Sequence, residues 1–136
     1  MDRESAQLVQ ATLGQVLPNS EVTAAAFYDK LFELDPSTRP LFTGDMRAQG
    51  QKFMSTLSYA VHGLTRLGAV APVIEQLGRD HVRYGVVDEH YDTVKRALLW
   101  ALEQTLADDF TRDVESAWSE AYDIIAEIMK DAARSA

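Results

Sequence analysis

The stretch Leu77–Tyr91, LGRDHVRYGVVDEHY, decides how the chain is read. It holds two of the three histidines, His81 and His90, nine residues apart. Val73, Leu77, His81 and Tyr84 recur at helical spacing, which predicts an amphipathic helix with His81 on its apolar face. Gly85 is a natural C-terminal stop. Asp88 can cap a following helix that carries Tyr91, Val94, Leu98 and Leu102. On periodicity alone, a histidine on an apolar face reads more readily as a buried residue bonded to a nearby carbonyl than as a metal ligand. A neutral imidazole with one nitrogen so satisfied costs little to bury.

Outward from this stretch the pattern stays helical. Upstream, Phe53, Met54, Leu57, Val61 and Leu64 mark a long helix, and LGAVAP (67–72) reads as the break before the histidine helix. Asp35-Pro36 reads as a cap and first-turn proline of a short helix that Pro40 breaks, leaving Leu41 and Phe42 at a corner. Leu8, Val9, Thr12, Leu13 and Val16 mark a first helix ended by Pro18. Ser20 can cap a second, with Phe27, Leu31 and Leu34 on one side and Tyr28 one residue round. Downstream, the ADDFT turn leads to a last helix with Val114, Trp118, Ala121, Tyr122, Ile125 and Met129. No alternating strand, repeat or linker interrupts the series. The expectation is a single all-α domain, 1–136, of about seven helices.

Composition narrows the function. Thirteen basic against twenty-one acidic residues give a net charge of −8 over 136 residues. That disfavours binding to nucleic acid, which needs a basic face, and docking on anionic lipid. No apolar run is long enough to span a membrane, and the N-terminus lacks the order of a signal peptide, so a cytoplasmic protein is expected. With no cysteine, disulfides, thiolate metal sites and thiol chemistry are excluded.

A protein-only metal site is poorly supported as well. Zinc takes three or four side-chain ligands, and carboxylate di-iron bundles use paired Glu-x-x-His motifs, which do not occur here. Gly85 separates His81 from His90, and His62 falls on another helix, where it is expected to be partly exposed. A lone histidine is, however, sufficient for haem, whose porphyrin supplies four ligands.

At this point the chain resembles a family. LGRDHVRYGVVDEHYDTV is similar to the proximal region of globins, above all the single-domain bacterial haemoglobins and the haem domain of flavohaemoglobins. FYDKLFELDPSTRPLF, ending at Phe42, resembles their second and third helices, QGQKFM the start of their distal helix, and AWSEAYDIIAEIM their last helix. The resemblance runs from about Phe27 to Met129. It implies a three-over-three helical sandwich enclosing haem b, with His81 as iron ligand. Phe42, Lys52, Phe53, Leu77, Tyr84, Val86, Tyr91, Val94 and Leu98 are then the expected haem contacts, Lys52 near a propionate. Tyr28, Gln49 and Phe53 are expected to face bound dioxygen. Phe53 is bulkier than the aliphatic residue usual at its position.

Two donors, the Tyr28 hydroxyl and the Gln49 amide, would favour tight oxygen binding with slow release. Each hydrogen bond to a charged acceptor is worth roughly 1.5–3 kcal/mol, about ten- to a hundredfold in affinity. On the other side, the glutamate that joins the proximal tyrosine in flavohaemoglobins falls by counting at Ala133. Glu127 lies roughly 9 Å away along a helix axis and is a poor substitute. Peroxidase-like activation is therefore not expected. The resemblance implies reversible binding of dioxygen and other diatomic gases, nitric oxide and carbon monoxide among them. It extends to nitric oxide dioxygenation if a separate reductase supplies electrons. A gas or redox sensor acting through a partner ranks below these. A monomer or weak homodimer is expected.

Overall fold

The Asp2 carboxylate accepts a hydrogen bond from the Ser5 amide at 2.7 Å and so starts the first helix, α1 (Arg3–Val16). The computed structural model describes residues 1–135, in which six α-helices and no strand occur. Pro18 does not open a gap. Leu17–Asn19 form one 3-10 turn and α2 (Ser20–Leu34) follows at once, so Ser20 is the first helical residue and Asn19 precedes it.

Asp35 caps as expected, accepting from the Ser37 amide at 3.0 Å, and Pro36–Leu41 winds as a short 3-10 helix, the seventh element of the expected count. Asp45 caps α3 (Met46–His62) by accepting from the Arg47 amide at 3.0 Å. The chain continues through α4 (Leu67–Arg83), α5 (Asp88–Leu106) and α6 (Arg112–Arg134). The Thr111 hydroxyl accepts from the Val114 amide at 3.2 Å to start α6.

The break before the histidine helix differs from the expectation. LGAVAP lies inside α4, with Pro72 in its second turn, and the chain bends instead at Gly63–Arg66. A proline there leaves the Gly68 carbonyl without its helical partner. Both residues are exposed, so water can satisfy that carbonyl.

The helices pair as α4 with α6, α2 with α5, α2 with α3, and α1 with α6. Gly78 makes the α4–α6 pairing close. A Cβ built there would lie 2.2 Å from the Met129 carbonyl oxygen. Because α6 backbone fills the place of a side chain, α4 is turned so that Val70, Ile74 and Gly78 are buried. Val73 and Tyr84, expected on the buried face, are 47% and 59% exposed. At the centre of the main core the Trp118 indole N–H donates to the Thr12 hydroxyl at 2.8 Å, joining α6 to α1.

Candidate functional site

His81 stands at the end of α4, and that end is locked. The Val86 amide donates to the His81 carbonyl at 3.0 Å and the Gly85 amide to the Val82 carbonyl at 3.1 Å, the paired bonds of a Schellman ending. The motif needs a left-handed residue, which Gly85 supplies at φ +89°.

The imidazole is also oriented. Nδ1 lies 2.6 Å from the Leu77 carbonyl oxygen, one turn back. A carbonyl only accepts, so Nδ1 carries the proton and Nε2 keeps its lone pair. Burial holds the ring's pKa below the ordinary histidine value. The Leu77 hydrogen bond and Asp80 oppose that shift, and the Lys52 ammonium adds to it. His81 is thus a neutral base with a fixed tautomer. Lys52 belongs to α3. Helix α4 leans chiefly on α6.

The other two histidines are engaged elsewhere. His62 is exposed, with Nδ1 2.7 Å from the Ser58 carbonyl. His90 accepts the Val87 amide at 3.1 Å and caps α5. Among the described residues no group of three or more His, Asp or Glu could hold a metal ion by itself.

The remaining candidates fall into two packing clusters bridged by α5. Tyr91 belongs to the first, with Leu77 and Val86 packed on it. Leu98 belongs to the second, with Val94, Phe42 and Phe53 packed against it. In that second cluster Phe27 and Phe53 stack at 4.3 Å between ring centroids, and Tyr28 meets Phe42 edge-on at 5.1 Å. Burial pushes the Tyr28 phenol up to about 12. Its hydroxyl donates only weakly, to the Gln49 carbonyl at 3.5 Å. Gln49 itself is half-buried at the start of α3, and Lys52 and Tyr84 are exposed.

Sequence reasoning missed what surrounds Tyr91. The Tyr122 hydroxyl donates to the Tyr91 carbonyl at 2.6 Å, and burial raises the Tyr122 pKa well above the ordinary range. Lys130 lies 5.7 Å over the Tyr91 ring and pairs with Glu127 at 3.4 Å. Helical spacing puts Tyr122 on the apolar stripe of the last helix but names no partner for it. The mid-helix Gly78 is the one sequence signal that α6 backbone passes close by.

A family model for the globins matches residues 25–129. The chain belongs to the globin family. Its architecture is accordingly the all-α, three-over-three globin fold. A flavohemoprotein of Bacillus subtilis is 28% identical over 130 residues, which cover 93% of this globin and 33% of that protein. The globin thus spans about a third of the curated flavohemoproteins it first matches. A globin-like protein of Aquifex aeolicus, itself uncharacterised, is 32% identical over 130 residues and is covered over 91% of its length, with 95% of this chain. Among solved structures, a carbene transferase engineered from a candidate nitric oxide dioxygenase of Rhodothermus marinus superposes with a TM-score of 0.88. That structure is 29% identical, with 99% of this chain and 94% of the other covered. Among the described residues no helix is long and apolar enough to cross a membrane.

Proposed function

We propose that this globin holds haem b through His81 and reversibly binds dioxygen beneath Tyr28 and Gln49. The observation that carries the proposal is the state of His81: neutral, oriented by the Leu77 carbonyl, and left with a free Nε2 lone pair. A single such ligand suits haem, which brings four ligands of its own. When bound, haem supplies an iron with an open coordination position for a diatomic gas.

The chain's own residues account for the rest. The Schellman ending and the Leu77 bond hold the imidazole in one orientation, a hydrogen bond of the kind that raises ligand basicity. Leu77, Val86, Val94, Leu98, Phe42 and Phe53 offer apolar walls that exclude water, and Tyr91 backs the histidine side. Lys52 offers a cation to a propionate, and Tyr84 a ring at the rim. Tyr28 keeps its proton at neutral pH, so it remains a donor. Its bond to the Gln49 carbonyl is long, so turning the hydroxyl toward a gas forfeits little. The Gln49 amide is a second donor. Lys130, paired with Glu127, lies over the Tyr91 ring, an ion pair in place of the lone carboxylate that would strengthen electron donation from the histidine side. That favours gas binding over peroxidase-like chemistry.

Stopped-flow displacement of oxygen tests the pocket. Tyr28→Phe should speed oxygen release by about ten- to a hundredfold, the worth of one charge-assisted hydrogen bond. Release at the wild-type rate would remove Tyr28 from the site. The likeness to a candidate nitric oxide dioxygenase supports a second reading, nitric oxide dioxygenation with electrons supplied by a separate reductase. Sustained nitrate formation from nitric oxide with an added reductase and reductant would favour it. Oxygen exchange without such turnover would favour a carrier.

A further inference from the structure

A cleft of about 470 Å³ lies along α2 and α3. Its floor is Ala24, Tyr28, Gly50 and Met54. Tyr28 therefore lines the cleft on one side while meeting Phe42 and Phe53 on the other. At the floor the two helices nearly touch. A Cβ added to Gly50 would lie 3.0 Å from that of Ala24. Across the rim Arg47 pairs with Glu21 at 3.2 Å, and both side chains are more than 60% exposed. An ion pair so exposed is held weakly. The methionine on the floor is unbranched and adaptable.

The charges at the rim say what the cleft does not take. Arg47 faces the Glu21 carboxylate. Arg39 lies over the Phe32 ring at 5.0 Å and donates to the Phe42 carbonyl at 3.4 Å. Asp29, at the rim, is exposed and repels anions. Glu21 and Asp29 balance Arg39 and Arg47 in the lining, so the cleft carries no net charge to draw an anion. A small neutral molecule meets a floor of two small residues, a flexible thioether and a phenol. A diatomic gas is roughly water-sized, needing about 30 Å³.

We infer that the α2–α3 cleft is a passage by which diatomic gases reach the Tyr28 hydroxyl, with the Ala24–Gly50 contact as its constriction. The inference rests on the gas-binding reading above and adds a route to it. A constriction is a barrier common to both directions, so narrowing it slows association and dissociation by the same factor and leaves affinity unchanged. That signature separates a route from a damaged binding site.

The test is flash photolysis of the carbon monoxide complex of the haem-loaded protein, with stopped-flow dissociation, for wild type, Gly50→Ala and Gly50→Ala paired with Ala24→Gly. Gly50→Ala should slow both rates about tenfold, the equivalent of roughly 1.4 kcal/mol on the barrier. The paired variant should restore them. Methyl NMR of the purified protein under xenon pressure is the second arm, and it does not require a carbon monoxide complex. Xenon should shift the Ala24 and Met54 methyl signals in wild type and shift that of Met54 less in Gly50→Ala. Unchanged rates in Gly50→Ala, a change in affinity, or xenon silence at these methyls would overturn the passage. Failure of the haem reading shows differently, as the absence of any carbon monoxide complex, and the xenon arm then decides the cleft.

Discussion

Replacing Gly78 with alanine should loosen the helix that carries His81. The added Cβ would sit 2.2 Å from the Met129 carbonyl oxygen, and ordinary contact begins at 3.4 Å, so α4 and α6 must part by about 1.2 Å. The obstacle is backbone, not the far end of a flexible side chain, and it cannot swing aside. Overpacking of this kind costs about 1–3 kcal/mol, and the upper end applies because a whole helix must move. Alanine returns about 1 kcal/mol in helix propensity. The net loss is then about 2 kcal/mol, which for a chain of this size lowers Tm by roughly 5–10 °C. Gly14→Ala is the control, since nothing stands within 4 Å of a Cβ at that position in α1. It should gain about 0.5–1 kcal/mol from propensity alone. Urea and thermal unfolding of both variants read the difference directly. Gly78→Ala as stable as wild type, or shifted in the same direction as Gly14→Ala, would refute the claim that this glycine sets the α4–α6 approach.

Other expectations follow from the same contacts. Thr12→Val removes the acceptor of the buried Trp118 indole N–H and should cost about 1–3 kcal/mol; a urea midpoint within error of wild type would contradict it. The folded state keeps the protons of Tyr28, Tyr91 and Tyr122 above their ordinary pKa of 10.0. The unfolded chain binds fewer protons above that pH, so stability is full below it and falls as pH rises toward about 12, where Tyr28 ionises. Unfolding midpoints at pH 8, 10 and 11 should show the decline, and Tyr28→Phe should make it shallower.

The helix ending that holds the candidate ligand His81 was legible because its signals are local. His81, the Gly85 stop and the His-Tyr pair at 90–91 lie within one stretch, and the Schellman bonds that fix His81 need only that sequence and the left-handed glycine. The Asp35 cap was legible for the same reason. What escaped the sequence depends on distant partners. The rotation of α4 is set by Met129, fifty-one residues away from Gly78, and no periodicity in α4 encodes it. LGAVAP suggests a break because proline usually interrupts a helix, yet an exposed position in the second turn tolerates one. The Trp118–Thr12 bond spans 106 positions, and the Tyr122–Tyr91 bond spans 31. Each residue was recognisable as core, but a helical stripe names a face and not its partner.

The most direct test of the account is the ultraviolet–visible spectrum of haem-reconstituted protein beside His81→Gly, recorded with and without added imidazole. Wild type should give a strong Soret band, a five-coordinate ferrous form and a stable oxygen complex. His81→Gly should lose them, imidazole should restore the Soret band and ferrous spectrum, and His62→Ala and His90→Ala should match wild type. A His81→Gly spectrum indistinguishable from wild type, or no specific haem uptake by wild type, would return this histidine to a purely structural role.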